Sequence, residues 1–320
     1  MRKTLFALLF ACAALSAQAL TQHEDFDKAV SAATGDEVVM LSFTGTDWCP
    51  ACIYLHDKIF AHESFATGDF GKGLHLAEVV FPRLPEAVAA VGKEQMDANE
   101  RLFEQYHITT GLPTIILHDA NGKPFATVVG ARRTPEEYRA ALDEALKLRT
   151  ERDTKFAAAE GLQGMERARA LAAALAVMSE NLRDKYPETV REIEALDPQN
   201  ELGYDGFLER GKLYAEQIEA YYKLTDTFVG HYTPADIAQQ QEQLNAFLAA
   251  LEKPQPEVVQ QVYSAIADGY GLTRNYAQMH EYHIKALEAA PNSKSAKRLR
   301  GNIEYYDKTL LPMLKEQQGK

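Results

Sequence analysis

The stretch Phe43-Thr44-Gly45-Thr46-Asp47-Trp48-Cys49-Pro50-Ala51-Cys52 places two cysteines between a predicted strand and a predicted helix. Residues 38–43 are apolar and β-branched, which favours a buried strand. Pro50 suits the first position of a helix, where its missing N–H costs no hydrogen bond. Cys49 would therefore lie at the helix N-terminus, where free N–H groups and the helix dipole stabilise a thiolate. Cys52 follows about one helical turn later, so we predict Cys49 as the nucleophile and Cys52 as the resolving thiol.

Other uses of a C-x-x-C pair fit the sequence less well. Attachment of haem needs a histidine directly after the second cysteine, and Ile53 occupies that position. A structural zinc site needs four ligands, and the chain has no second cysteine pair. A metal carrier that uses Cys49, Cys52 and His56 stays open as an alternative. We expect no metal and no cofactor other than the redox-active disulfide itself.

Regular elements extend outward from this stretch in an order typical of an α/β domain. Strands are predicted at 38–43, 74–81, 114–117 and 125–129, and helices at 23–33, 50–62, 96–106 and from 135 to at least 148. The last helix begins with a capping box, in which Thr134 precedes Pro135 and Glu137. The first strands can form a parallel βαβ unit, and the last two strands form an antiparallel hairpin across the turn at 119–122.

After Arg149 the composition changes, and no credible strand is found in residues 150–320. Helical stretches separated by prolines follow one another instead. One segment, which includes Ala267, Tyr270-Gly271, Tyr276-Ala277, Tyr282 and Pro291-Asn292, resembles a tetratricopeptide repeat. We therefore predict three parts: a signal peptide at 1–19, an α/β domain at 20–149 and an all-α, tetratricopeptide-like domain at 150–320.

The first nineteen residues have the pattern of a secretory signal peptide. Arg2 and Lys3 precede an apolar run at 5–15, and Ala17-Gln18-Ala19 is a small-x-small cleavage site. Cleavage after Ala19 would give a periplasmic or secreted protein with no membrane segment. It would also remove Cys12, so that Cys49 and Cys52 are the only cysteines left. A bridge over two residues constrains the unfolded chain very little, which indicates redox chemistry rather than scaffolding.

Four ordered motifs between about residues 24 and 148 resemble exported thioredoxin-like proteins. The first is the quoted stretch, which matches their Phe-Thr-Gly-Ser/Thr-Asp-Trp-Cys-x-x-Cys run. The others are Asn99-Glu100-x-Leu102-x-x-x-Tyr106, Thr110-Gly111-Leu112-Pro113-Thr114, and Asp119-x-Asn121-Gly122-Lys123 followed by Gly130. The resemblance implies a thioredoxin fold, a central mixed sheet with flanking helices, followed by the predicted helical domain.

The resemblance also implies roles for residues around the cysteines. Pro113 would be cis and would lie beside Cys49, which leaves the backbone of Leu112 free to pair with a substrate peptide. Trp48 would flank the site as an apolar lid. Ser42 occupies the position at which many thioredoxins bury an aspartate that accepts the proton of the second cysteine. Serine is a poor base, so that proton would need water or another group.

These observations predict an exported thiol–disulfide oxidoreductase that acts on protein thiols and disulfides with an unknown electron donor or acceptor. Pro50 and Ala51 add neither charge nor histidine between the cysteines, which favours a reductase or isomerase over an oxidase. A thioredoxin-scaffold binding module is the alternative. The helical domain could bind a peptide or protein, or form a dimer. A net charge of −12 argues against a nucleic-acid partner.

Overall fold

The computed structural model describes residues 19–108, 111–228, 233–293 and 295–318 of the 320-residue chain. Apart from Ala19, the predicted signal peptide lies outside these residues, as does Cys12. Among the helices that are described, none combines the length and the apolar character needed to cross a bilayer. The chain divides into two compact units, one up to Tyr204 and one from Asp205 onward, and each is described by itself.

The first unit contains a five-stranded mixed sheet flanked by helices, which confirms the predicted thioredoxin-like fold class. Its strands are β1 (Thr21–His23), β2 (Val38–Thr44), β3 (Leu74–Val80), β4 (Thr114–His118) and β5 (Pro124–Val129). They lie in the order β1-β3-β2-β4-β5. The pairs β1–β3 and β2–β3 are parallel, whereas β2–β4 and β4–β5 are antiparallel. This is the parallel unit followed by a hairpin that the pattern predicts.

The helices of the first unit fill the connections between strands and continue beyond the sheet. They are α1 (Phe26–Ala32), α2 (Pro50–Tyr54), α3 (Glu63–Ala66), α4 (Pro85–Val91), α5 (Lys93–Gln105), α6 (Pro135–Ala158), α7 (Gly164–Leu175), α8 (Glu180–Arg183) and α9 (Pro187–Leu196). A π-helical segment, Leu55–Phe60, extends α2, and a 3-10 turn, Asp69–Gly71, follows α3. Two elements differ from the prediction. Residues 21–23 form edge strand β1. Helix α1 begins after Asp25 rather than at His23. Asp25 caps this helix, because its carboxylate accepts a hydrogen bond from Lys28 N at 2.7 Å. Helix α4 was not predicted.

Side chains of each strand alternate between two buried faces of the sheet. We call one the front face; it carries Val38, Met40, Leu74, Leu76, Ile115 and Leu117 and packs against the π-helical segment and α6 in one apolar cluster. We call the other the rear face. It carries Phe43 and His118, which contact Phe103 of α5 and Phe26 of α1 respectively. Ser42 and Glu78 share the parity of Met40 and Leu76, so they belong to the front face.

The first unit continues past the predicted domain boundary at residue 149, which falls inside α6. Arg152 is only 3% exposed. Its guanidinium donates to Asp119 Oδ2 at 2.8 Å and to the Tyr186 hydroxyl at 2.7 Å. Tyr186 in turn donates to the carbonyl oxygen of Pro124 at 2.7 Å. These buried bonds join α6, and the residue that precedes α9, to the hairpin end of the sheet. The boundary between the two compact units therefore falls after residue 204 rather than after residue 149.

The second unit is helical throughout its described part. It comprises α10 (Phe207–Thr225), α11 (Pro234–Ala250), α12 (Pro256–Leu272), α13 (Tyr276–Ala289), α14 (Ala296–Tyr305), a π-helical segment (Tyr306–Leu310) and α15 (Leu311–Gln318). Its buried cluster is formed by Tyr221, Leu244, Val262 and Ile266. Between α12 and α13, the side-chain amide of Gln260 donates to the carbonyl oxygens of Ala286 and Ala290, each at 2.9 Å. This is the pair in which the repeat-like motif is found.

Candidate functional site

Cys49 and Cys52 form a disulfide at the junction of β2 and α2, with their Cα atoms 5.2 Å apart. Cys49 is the N-cap of α2, and its Sγ accepts a hydrogen bond from Cys52 N at 3.3 Å. An N–H group directed at Sγ stabilises a thiolate there once the disulfide is reduced. Cys49 is 6% exposed and Cys52 is 1% exposed. Cys49 is therefore the more exposed of the two cysteines.

Trp48 forms an exposed wall next to Cys49. Its Nε1 donates to the carbonyl oxygen of Phe81 at 2.7 Å, and the Arg83 guanidinium lies 3.7 Å from the ring centroid. The indole packs directly over Gly45, where an added Cβ would lie 2.6 Å from the ring. Such a distance leaves no room for a side chain, so this position of the motif requires glycine. Gly45 also accepts a backbone hydrogen bond from Cys49 N at 3.3 Å, which joins wall and cysteine.

Asp47 ties the cysteine loop to the segment after β3. Its carboxylate accepts hydrogen bonds from Arg83 N, at 2.9 and 3.0 Å, and from Leu84 N, at 2.7 Å. From the sequence, this residue was expected to have a surface or capping role and no catalytic one. The sequence signal for Asp47 was its position directly before Trp48. The backbone groups that bind its carboxylate lie 36 and 37 positions away in the chain, so no local pattern reports them.

The loop before β4 reaches the cysteines from the other side. The Leu112–Pro113 peptide bond is cis, as the resemblance implies. The carbonyl oxygen of Leu112 lies 3.7 Å from Cys49 Sγ. Leu112 is half-buried and Pro113 is buried, while Thr110 of the predicted motif lies outside the described residues. The structure thus brings Leu112 to Cys49 across more than sixty positions of sequence.

The remaining residues singled out in the sequence have the following positions. Pro50 and Ala51 are exposed on the first turn of α2 and bring no charge to it. Ser42 is 1% exposed on the front face of β2. The side chain of His56 is 52% exposed, and its Nδ1 lies 2.8 Å from Asp57 Oδ1. Within the described ranges, no group of three histidine, cysteine, aspartate or glutamate side chains is arranged to hold a metal ion.

Glu78 is a residue of this site that the sequence analysis missed. It pairs in register with Ser42 on the neighbouring strand and is half-buried. Burial raises the pKa of the Glu78 carboxyl, and the charge of His56 opposes that rise. The sequence signal for Glu78 was an acid in a mostly apolar strand, at a position whose side chain lies on the same face as Leu74 and Leu76.

Comparisons with known proteins agree with this geometry. Residues 25–146 match the family model described as a thioredoxin-like domain. The chain is 34% identical over 134 residues to the disulfide bond reductase DsbH of Chlamydia pneumoniae. The matched region covers 42% of this chain and 77% of the relative. A solved structure titled DsbH oxidoreductase has 28% identity and a TM-score of 0.33, and the match covers 46% of this chain and 96% of that one. With a thioredoxin-like sheet, a disulfide at the N-terminus of α2 and 34% identity to the relative from Chlamydia pneumoniae, the chain belongs to the thioredoxin-superfamily thiol–disulfide oxidoreductases.

Proposed function

We propose that this protein reduces disulfide bonds of exported proteins. Oxidoreductases of this family carry electrons on the cysteine pair and use no other cofactor. In the proposed cycle, the Cys49 thiolate attacks a substrate disulfide and forms a mixed disulfide. Cys52 then attacks Cys49 Sγ, which releases the reduced substrate and leaves the Cys49–Cys52 disulfide. A donor of two electrons, still unidentified, restores the dithiol.

The observation that carries this proposal is the position of Cys49 Sγ, at the N-cap of α2 and 3.7 Å from the Leu112 carbonyl oxygen. Direction rests on two further points. Pro50 and Ala51 place neither charge nor histidine between the cysteines, and the relative from Chlamydia pneumoniae is named a reductase. Substrate is proposed to bind as an extended segment along the backbone of Leu112, between Pro113 and the wall formed by Trp48.

The test is the reduction potential of the Cys49–Cys52 pair, measured by equilibration with glutathione buffers. A reductase should give a value near about −270 mV, whereas a value near about −120 mV indicates an oxidant and contradicts the proposal. Reduction of a protein disulfide in the presence of dithiothreitol should be abolished by Cys49→Ser. Cys52→Ser should instead accumulate a mixed disulfide at Cys49. Absence of any reversible disulfide would leave the thioredoxin-scaffold binding module as the better account.

Export belongs to the same proposal. The basic, apolar and small-x-small pattern of residues 1–19 supports cleavage after Ala19 and delivery to the periplasm or the medium. N-terminal sequencing of the protein from a cell envelope fraction tests this directly. A mature chain that begins at Leu20 is expected, and an uncleaved chain in the cytosolic fraction would contradict export.

The helices from residue 150 onward are proposed to recruit a protein partner rather than to take part in the exchange. Their buried positions are mostly apolar or aromatic, as in the cluster around Tyr221 and Val262. Crosslinking of the full chain through a Cys52→Ser mixed disulfide, followed by mass spectrometry, would identify substrates. Sedimentation velocity of the same chain distinguishes a dimer from a monomer that binds other proteins.

A further inference from the structure

The exchange reaction leaves one proton without an assigned acceptor. Before Cys52 can attack Cys49 Sγ, its thiol must lose a proton, because the thiolate is the nucleophile. Cys52 is 1% exposed, so bulk water has little access to it, and burial among apolar groups disfavours the thiolate. Ser42, on the strand below, is not an acid. The proton acceptor should therefore be another group on the front face.

Chain connectivity places Cys52 above the carboxyl ends of β2 and β3. These strands are parallel neighbours, so the segment between them has to run back across the sheet. Cys52 is the first buried residue of α2, and it lies near the start of this return path. Ser42 and Glu78 each lie two residues before the end of their strand, at Thr44 and Val80 respectively. The returning helix thus brings Cys52 over the level of the sheet at which Ser42 and Glu78 lie side by side.

Side chains alternate along β3, so Glu78 lies on the same face as Leu74 and Leu76, the face that this helix covers. Leu74 and Leu76, at the same parity, pack in one cluster with Leu55 and Ile59 of the π-helical segment. The charge of His56, one turn after Cys52, acts on the Glu78 carboxyl. Glu78 therefore lies under the same helical face that carries Cys52.

The Glu78 carboxylate is also free to take a proton. No hydrogen-bond donor or cationic partner among the described residues is bonded to it, whereas the buried acids Asp119 and Asp197 both accept hydrogen bonds. Burial raises the pKa of Glu78, with His56 opposing, so the carboxylate is a stronger base than an exposed glutamate. Glu78 keeps partial contact with solvent. Edge strand β1 ends at His23, opposite Ala77, and so does not extend alongside Glu78.

We propose that Glu78 is the proton acceptor for Cys52 in the resolving step of the proposed disulfide-reducing function. The Cys52 thiol transfers its proton to the Glu78 carboxylate, directly or through one water molecule. The resulting thiolate attacks Cys49 Sγ, the Cys49–Cys52 bond forms, and the bond between Cys49 and the substrate breaks. The substrate sulfur leaves as a thiolate and takes its proton from solvent. Two electrons pass from the dithiol to the substrate disulfide, and Glu78 then releases its proton at the open edge of β3.

Two groups act on Glu78 from neighbouring elements. Ser42 lies beside it on β2 and carries no charge, and His56 is the charge that acts on it from the helix, on the helical face inferred above to carry Cys52. His23 and His75 are stacked on each other. Both lie on the same face of the sheet as Ala77, which is the rear face and not the face of Glu78. A pH dependence of the resolving step therefore reports on Cys52 and Glu78, with His56 as the nearby modulating charge.

The experiment follows the two thiols in one trace. Reduced full-length protein is mixed with one equivalent of 5,5′-dithiobis(2-nitrobenzoate), and release of the thiolate product is followed by stopped flow. The first equivalent reports attack by Cys49, and the second reports resolution by Cys52. Glu78→Gln should slow the second phase about 10- to 100-fold at neutral pH and leave the first phase within about twofold. The deficit should shrink at alkaline pH, where hydroxide removes the Cys52 proton.

Two matched variants complete the test. Glu100→Gln, on the exposed surface of α5, should leave both phases at their wild-type rates. Ser42→Asp combined with Glu78→Gln returns an acid to the adjacent strand and should restore the second phase. A second phase in Glu78→Gln with the wild-type rate and pH profile overturns the role of Glu78, as does an equal loss in both phases. Failure of the first phase in the wild-type protein would instead overturn the proposed function itself.

Discussion

The two ends of the central sheet both bury ionisable side chains, but the acid at one end is hydrogen-bonded on both oxygens and the acid at the other end has no bonded donor among the described residues. At the hairpin end, His118 Nε2 lies 2.7 Å from the Tyr106 hydroxyl. Asp119 accepts from Asn121 N and Lys123 N through Oδ1, and from Arg152 through Oδ2. At the active-site end, Glu78 lies beside Ser42 and beneath the helix of Cys52 with no bonded donor among the described residues.

This difference in bonding distinguishes a buried group that stabilises the fold from a buried group that can take part in proton transfer. A buried charge that is fully hydrogen-bonded adds definition to the fold and has little freedom to exchange protons. A half-buried acid with no bonded partner destabilises the fold slightly, yet it can accept and release a proton. A shifted pKa is therefore common to both ends of the sheet, and the bonding around the group decides what it can do.

The largest effect on stability is expected at the hairpin end. Arg152→Ala leaves Asp119 buried without its cation, and it also removes a donor to Tyr186. The free energy of unfolding should fall by about 3–5 kcal/mol, measured by urea denaturation at neutral pH. Lys155→Ala, on the same helix but partly exposed, should change it by less than about 1 kcal/mol. An equally small change in Arg152→Ala would show that α6–α9 are not held by this network.

His118 should give a pH-dependent effect at the same end. Burial lowers its pKa from 6.5 to about 3. Between these values the unfolded chain binds a proton that the folded chain does not, so stability falls as the pH falls. His118→Gln should flatten this slope by up to one proton, about 1.4 kcal/mol per pH unit, in urea titrations from pH 3 to pH 7. Unchanged slopes in the two proteins would mean that His118 is protonated in the fold.

The smallest effect on stability is expected at Glu78, and its sign is opposite. Because burial raises the pKa of Glu78, the folded protein holds this proton at pH values where the unfolded chain, at about 4.5, has lost it. Stability from this group is thus lost as the pH rises through the folded pKa. Glu78→Gln should be more stable than the wild type above that range and similar below it. A loss of stability at neutral pH would contradict an unpartnered carboxylate.

Much of the site could be predicted from short-range pattern. The apolar, β-branched run at 38–43 and the proline after Cys49 predict a strand, a turn and a helix, because each depends on neighbours within a few positions. The structure confirms this arrangement. The cis bond at Pro113, which only the resemblance implied, is also present. The same local logic predicted the hairpin at β4 and β5. It missed β1, whose three residues are stabilised by pairing with β3 rather than by their own propensity.

By itself, the sequence determined the cysteine pair, its place at a helix N-terminus and the α/β order of the first unit, since all three depend on the types and spacing of nearby residues. Only the tertiary structure decided which distant residues complete the site. The register of β2 and β3 places Glu78 beside Ser42, and the packing of the pre-β4 loop brings Leu112 to Cys49. Burial of Arg152 against Asp119 likewise extends the first unit past residue 149. These contacts join positions far apart in the chain, where no local pattern reports which residues will meet.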